Sequence, residues 1–82
     1  MSMDSIDRLI FDALAQVAPE VASDQLDPEE DLREACDLDS MDFLILLTNL
    51  KRACGVSVPE QDYPQVMTLS GMRRYLARHL LS

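Results

Sequence analysis

The first apolar stripe along the chain predicts a helix near the start of the sequence. Its members recur at the three- and four-residue spacing of one helical face. They are Ile6, Leu9, Ile10, Ala13, Leu14 and Val17. Ser2 or Asp4 can cap the start of this helix, and Pro19 marks its end because the residue before a proline disfavours the helical conformation. We therefore expect an amphipathic first helix.

A long connection follows, from about residue 19 to residue 38, and it is rich in Asp, Glu and Pro. Within it, Asp27-Pro28-Glu29-Glu30 has the residues of a helix start, so we expect about one helical turn there. Leu26 and Leu32 are expected to pin the connection to the core. A connection of this length in a small domain indicates either a functional loop or a long crossover between helices.

The second long helix is predicted from Asp39–Ser40 to Cys54. Asp39 is its cap, Asp42 is the partner of that cap in a box-like pair, and Gly55 supplies the left-handed stop. Helical spacing assigns five residues to its core face. They are Phe43, Leu46, Leu47, Leu50 and Cys54.

The remaining segment predicts three elements. Residues 56–59 form an extended link, and residues 60–63 form a short helical piece that Pro64 interrupts. The last helix begins after its cap, Thr68. The apolar stripe of the last helix consists of Leu69, Met72, Leu76 and Leu80, with Tyr75 beside it. Its basic residues are expected to form a solvated face. They are Arg73, Arg74 and Arg78.

These elements indicate one all-α domain over residues 1–82. No segment alternates between apolar and polar residues for long enough to be a strand. A chain of 82 residues has room for a single small core. An all-α bundle with one long crossover therefore fits the pattern.

The composition is globular, and the charge is strongly acidic and unevenly distributed. Hydrophobic residues make up 48% of the chain, which excludes intrinsic disorder, and the net charge is −8. The first fifty residues hold thirteen of the fifteen acids and only two of the seven bases. A domain this acidic is a poor binder of nucleic acid or of an anionic membrane, so we expect neither partner.

The cysteines and the histidine give no metal chemistry. Cys36, Cys54 and His79 are too few ligands for a structural zinc site, and the cysteines are most simply small buried hydrophobes. No bound metal is expected.

The start of the chain does not resemble a signal peptide, because Asp4, Ser5 and Asp7 interrupt any apolar run. The longest uninterrupted apolar run covers only residues 43–47, far short of a membrane span. The expected compartment is the cytoplasm, and the chain is expected to be a monomer. The sequence looks like a free-standing chain, but an excised domain would look the same.

One short segment, residues 37–42, places Ser40 at the first turn of a helix with carboxylates on both sides. Its alternating aspartates also suggest a calcium loop, but that interpretation fails. A calcium loop that starts at Asp37 would need glycine where Asp42 stands and glutamate where Thr48 stands.

At this segment the sequence resembles the acyl carrier protein family. That family is built around Asp-Ser-Leu at the start of the second helix, and Asp39-Ser40-Met41 matches it with Met in place of Leu. The resemblance continues through Gly55-Val56, Val58-Pro59 and Met67-Thr68-Leu69, and it covers essentially the whole chain.

The resemblance implies a four-helix bundle with three longer helices, a short third helix and a long loop between the first two. It implies that Ser40 receives 4′-phosphopantetheine from coenzyme A through a separate phosphopantetheinyl transferase. It also implies a non-catalytic carrier of acyl or aminoacyl thioesters, and the metal ion of the transfer reaction belongs to the transferase.

Partner enzymes are expected to dock around Ser40. By the resemblance, Asp39 and Asp42 bind basic residues of the transferase and of later enzymes. Unlike the fatty-acid members of the family, this second helix lacks a row of glutamates. It offers instead an apolar strip that ends in bases, formed by Met41, Leu44, Ile45, Thr48, Lys51 and Arg52. This strip indicates a dedicated polyketide, nonribosomal peptide or aminoacyl pathway with its own loading ligase and downstream transferase or synthase enzymes.

Three alternatives stay open at this point. Met41, Leu44 and Ile45 belong to the core if the helical phase is shifted by one position. Ser40 is only a helix cap if the chain is an unmodified interaction subunit with no cargo. An enzyme is the least supported class, because the sequence shows no nucleophile–base pair, no phosphate-binding glycine loop and no metal-ligand cluster.

Overall fold

The computed structural model describes residues 3–22 and 25–81, and it is built of helices. The elements are α1 (Met3–Val17), α2 (Leu32–Ala35), α3 (Ser40–Cys54), a 3-10 helix (Glu60–Val66) and α4 (Leu69–Leu80). Within those ranges there is no strand, and an isolated β-bridge joins Asp31 to Thr68. The predicted all-α fold of the acyl-carrier type is confirmed: three longer helices, a short helix before the last one, and a long loop after the first.

The core lies between the three long helices, since α1 packs against both α3 and α4 and the 3-10 helix packs on α4. The α1 stripe supplies four fully buried residues, Ile6, Ile10, Ala13 and Leu14. Leu9 and Val17 at its margins are half-buried. Each buried aliphatic side chain of this size contributes about 1.5–3 kcal/mol relative to exposure, so α1 is held mainly by packing.

The predicted cap of α1 by Asp4 is wrong. The helix already begins at Met3, so Asp4 lies in its first turn, where a carboxylate favours the positive end of the helix dipole. The alternative cap, Ser2, lies outside the described residues. The predicted end is confirmed: the Ala18 N–H donates to the Leu14 carbonyl at 2.8 Å, directly before Pro19.

The long crossover contains a short helix, but not where the sequence pattern placed it. Asp27 forms a tight turn in which its carboxylate accepts from the Glu29 N–H at 2.9 Å. The helix begins later, at Leu32, and is capped by Asp31. Tertiary hydrogen bonds decide this, because the Pro28 carbonyl accepts from the Ser70 N–H at 2.9 Å and the Leu32 N–H donates to the Met67 carbonyl at 2.7 Å.

The crossover is anchored by apolar residues as predicted. Leu32 is buried, and Leu26 is half-buried and packs against the core. The crossover therefore runs over the start of α4 and reaches α3 from a fixed position.

Pro64 does not interrupt the short helix before α4, contrary to the prediction. The 3-10 helix continues through Pro64 to Val66, because the fixed φ of proline fits a 3-10 turn and only one donor is lost. Side-chain contacts with α3 and α4 hold this helix. The Tyr75 hydroxyl donates to the Asp62 carboxylate at 2.8 Å, and the rings of Phe43 and Tyr63 meet edge to face at 6.0 Å.

The basic face of α4 is less solvated than predicted. Arg73 forms a two-point ion pair with Asp7 of α1, with Nε and Nη2 donating at 2.6 and 3.2 Å. Arg78 donates to the Gln65 side chain at 2.6 Å, while Arg74 is exposed. The prediction therefore fails for Arg73, which ties α1 to α4.

Both cysteines are free thiols, Cys36 buried and Cys54 half-buried. The prediction of a small buried hydrophobe is thus confirmed for Cys36. In the part of the chain that the structure describes, no helix has the length and apolar character to cross a membrane.

Candidate functional site

The first turn of α3 is closed by a reciprocal cap. The Asp39 carboxylate accepts from the Asp42 N–H at 2.8 Å, and the Asp42 carboxylate accepts from the Asp39 N–H at 3.4 Å. The predicted capping pair is confirmed. Since Asp39 occupies the cap position, Ser40 is the first helical residue and not the cap.

The Ser40 hydroxyl is available to solvent. The residue is exposed, and its hydroxyl makes no hydrogen bond within residues 3–22 and 25–81. The interpretation of Ser40 as a capping serine is therefore wrong. The neighbouring helix-end N–H groups and the positive end of the α3 dipole favour an anionic group at this position.

A sharp turn presents this segment to solvent. Asp37 has a left-handed backbone with φ 54°, and the Leu38 N–H donates to the Arg33 carbonyl at 2.8 Å. This pattern closes α2 in the manner of a Schellman motif. Cys36 and Leu38 on either side are buried and anchor the turn. Burial, followed by the charge of Glu30, raises the pKa of the Cys36 thiol, so this thiol stays protonated near neutral pH.

A groove of about 480 Å³ lies beside Ser40, and we call it the first groove. Its walls come from the crossover, α3 and the segment from the 3-10 helix to Met67. They are formed by Arg33, Ser40, Phe43, Leu44, Tyr63, Pro64 and Met67. Arg33 is the charged member of this wall, and its guanidinium beside Asp31 lowers the pKa of that carboxyl. Sequence patterns gave no sign of Arg33, Tyr63, Pro64 or Met67 as site residues.

The solvent face of α3 is apolar near Ser40. Met41, Leu44 and Ile45 are exposed by 66%, 43% and 42%, so the alternative that they belong to the core is wrong. The predicted core face is confirmed by the buried side chains of Phe43, Leu46, Leu47 and Leu50, with Cys54 half-buried at its end.

The residues predicted to dock partners along this helix fall into two groups. Met41, Ile45 and Arg52 project away from the core by helical spacing, and we call them the outer ridge. Leu44, Thr48 and Lys51 instead line a second groove of about 310 Å³. Its other walls are Leu47, Ser57, Val58 and Tyr63.

Most of the chain matches a known protein family. A family model described as the phosphopantetheine attachment site matches residues 8–76. The chain belongs to this family. The resemblance to acyl carrier proteins is thereby confirmed, and the match runs from Arg8 within α1 to Leu76 within α4. Neither a search of curated proteins nor a search of solved structures gave a significant match.

Membership in the phosphopantetheine attachment family identifies the cofactor as covalently bound 4′-phosphopantetheine and the chain as a carrier protein. Carrier domains are generally non-catalytic and interact with partner enzymes such as transferases and synthases. The residues present fit the cofactor. An exposed serine hydroxyl with no hydrogen bond in the described part of the chain stands at a helix start and opens onto a groove.

Proposed function

We propose that this carrier protein holds acyl or aminoacyl groups on a 4′-phosphopantetheine arm attached to Ser40 and presents them to the enzymes of a dedicated biosynthetic pathway in the cytoplasm. The observation that carries the proposal is the free Ser40 hydroxyl beside an independent cap. Asp39 closes the helix, so Ser40 can be modified without loss of the capping hydrogen bond.

The residues of the site have separate roles in this proposal. The start of α3 stabilises the phosphodiester through its N–H groups and its dipole. When bound, the arm supplies a thiol that holds the carried group as a thioester. The chain itself supplies the tether point, and tethering raises the effective concentration of the carried group at a docked enzyme.

The docking surface consists of the outer ridge and the two capping aspartates. Asp39 and Asp42 offer carboxylates to basic side chains of the transferase and of later enzymes. Met41 and Ile45 offer an exposed apolar contact, and Arg52 offers a base at the far end. An apolar ridge with a terminal base fits partners that have an apolar recess, which supports a dedicated polyketide, peptide or aminoacyl pathway with its own loading ligase.

The direct test is the intact mass of the purified chain after incubation with coenzyme A and a broad-specificity phosphopantetheinyl transferase. We expect the gain of one phosphopantetheine by the wild-type chain and none by Ser40→Ala. The matched control is Ser57→Ala, which removes a second exposed serine hydroxyl and is expected to load normally. Equal loading of Ser40→Ala and wild type would place the attachment elsewhere.

The second candidate is an unmodified interaction subunit without cargo. The exposed outer ridge favours it, because this surface can bind a partner whether or not the arm is attached. A folded wild-type sample that gains no mass with several transferases would select this candidate over the carrier.

A further inference from the structure

The two grooves beside α3 are neighbours that share a wall. Leu44 and Tyr63 line both of them. The first groove begins at Ser40, and the second ends at Lys51. Leu44, which divides them, is 43% exposed, so its side chain has room to turn aside. The grooves therefore follow one another along one side of α3.

The direction of this path is set by helical geometry. Ser40, Leu44, Leu47 and Lys51 recur at spacings of four, three and four residues, which is one stripe of an α-helix. Eleven residues at about 1.5 Å of rise place Lys51 roughly 16 Å from Ser40 along the axis. A phosphopantetheine arm has about 13 bonds from phosphorus to sulfur, and at roughly 1.2 Å per bond, as in an extended peptide, it spans about 15 Å. A four-carbon acyl group adds about 5 Å beyond the sulfur, so an arm that is not fully extended places the end of the carried group at the far end of the second groove.

The chemistry of the walls changes along the path. Beyond Arg33 and Ser40, the first groove is lined by Phe43, Leu44, Tyr63, Pro64 and Met67. The second groove adds two apolar residues, Leu47 and Val58, and three polar ones, Thr48, Lys51 and Ser57.

At the far end the strongest donor is Lys51. The Thr48 hydroxyl donates to the Leu44 carbonyl at 2.9 Å, so its proton is already used. Lys51 is exposed and makes no ion pair within the described residues, and Ser57, which lines the same groove, is exposed as well. An ammonium group without an ion-pair partner attracts a carboxylate and repels another ammonium.

We infer that the two grooves form one track for the prosthetic arm and that Lys51, at the far end of the track, recognises a carried acyl group that ends in a carboxylate. This inference rests on the proposed attachment at Ser40. It assigns Leu44, Thr48 and Lys51 to the carried group and leaves docking to the outer ridge and the capping aspartates. Arg52, the next residue along, belongs to the ridge and not to the track.

The experiment compares three carried groups of similar length. The ¹⁵N-labelled chain is loaded by the transferase from succinyl-, butyryl- and β-alanyl-coenzyme A, which end in a carboxylate, a methyl group and an ammonium. Intact mass establishes each loading. Backbone amide shifts at Lys51, Ser57 and Val58 are then measured relative to the chain with an unacylated arm.

We expect amide shifts that are several-fold larger for the succinyl group than for the other two groups. Lys51→Gln should remove this difference, and Lys51→Arg should retain it. Arg52→Gln removes the neighbouring base on the outer ridge and should leave the difference intact. Spectra of the unloaded variants verify that each one folds.

Two kinds of failure are distinguishable. Loading at Ser40 with equal shifts for all three groups, with the largest shift for β-alanyl, or with Arg52→Gln acting like Lys51→Gln overturns the inference and leaves the carrier function intact. Absence of any mass gain by the wild-type chain overturns the proposed function and this inference together.

Discussion

The Asp39 carboxylate lies 2.8 Å from the backbone N–H of Asp42, and this hydrogen bond caps α3 one residue before the exposed Ser40. The reciprocal bond from the Asp39 N–H to the Asp42 carboxylate is longer, at 3.4 Å. The hydroxyl of a capping serine would accept a hydrogen bond from a backbone N–H of the helix. Here the carboxylates of Asp39 and Asp42 make the capping hydrogen bonds instead. If Ser40 carries the arm as proposed, stability and modification belong to adjacent residues and can be separated by mutation.

Asp39→Ala should destabilise the domain, while Asp39→Asn should not. Alanine removes the cap at a cost of about 0.5–2 kcal/mol, and asparagine caps about as well as aspartate. Both variants remove the negative charge that the transferase is expected to bind. At low salt the transferase should therefore show a higher KM for each variant than for the wild-type chain. Urea unfolding gives the first effect and loading kinetics the second. If Asp39→Asn unfolds as easily as Asp39→Ala, the charge and not the cap holds α3.

The stability of the domain should depend on how well the residue at position 37, in the turn before α3, tolerates a positive φ. Asp37 adopts φ 54°, a conformation that costs an ordinary L-residue roughly 1–2 kcal/mol and a β-branched residue more. Asp37→Val should therefore lower the unfolding free energy, whereas Asp37→Gly should keep or raise it. Thermal unfolding measures both.

The control for the Asp37 series is Asp37→Asn, which removes the charge but accepts the same backbone conformation. Its stability should stay near that of the wild type. A loss in Asp37→Asn as large as in Asp37→Val would assign the effect to charge instead of backbone conformation.

The long helices could be predicted because their signals are local. The cap at Asp39, the apolar period from Phe43 to Leu50 and the left-handed stop at Gly55, with φ 78°, all lie within one stretch of chain. The helix of the crossover could not be placed, because Asp27 and Asp31 are both reasonable helix starts by sequence. The choice is made by hydrogen bonds from Ser70 to Pro28 and from Leu32 to Met67, which join distant segments.

The same distinction holds for the site. Ser40 could be chosen as a candidate from the sequence, because the aspartates around it lie in the same short segment, and its role as the attachment residue stays a prediction. The first groove takes Arg33 from the crossover, Tyr63 from the 3-10 helix and Met67 from the residues before α4. Sequence spacing along one helix carries no information about contacts between these distant segments. It places Lys51 and Arg52 on different faces of α3, but it could not show that Ser57, Val58 and Tyr63 form a groove with Lys51.

The domain should lose stability in alkaline solution because of Tyr75. Burial, and then the hydrogen bond to Asp62, raises the pKa of the Tyr75 phenol above its ordinary value. An unfolded tyrosine releases its proton near pH 10, so the stabilisation is fully present below about pH 10 and is lost as the pH rises through the higher folded pKa.

Urea unfolding between pH 8 and pH 11, an interval chosen to bracket the ordinary tyrosine pKa of about 10, measures this slope. Tyr75→Phe should flatten it. Cys36 acts in the same direction, because burial raises the pKa of its thiol, and Cys36→Ala separates its share. A slope unchanged in Tyr75→Phe would show that the phenol is not the titrating group.

Gly71 should be required for the position of the first groove. A Cβ at this residue of α4 would collide with the Gln65 carbonyl oxygen of the 3-10 helix and would lie 3.2 Å from the Thr68 hydroxyl oxygen. That hydroxyl already accepts the Gly71 N–H at 3.0 Å, so it has little freedom to retreat. The Gln65 carbonyl is backbone and can yield only if the 3-10 helix moves.

Gly71→Ala should therefore lower the unfolding free energy by about 1–3 kcal/mol, the usual cost of overpacking, and shift the amide signals of Tyr63. Ser70→Ala alters the preceding residue of the same turn and should leave the Tyr63 signals in place. Since Tyr63 lines both grooves, the displaced 3-10 helix should also reduce the amide response at Ser57 and Val58 to a succinyl group. Full stability of Gly71→Ala with unmoved Tyr63 signals would mean that the wall of the first groove is not fixed by α4.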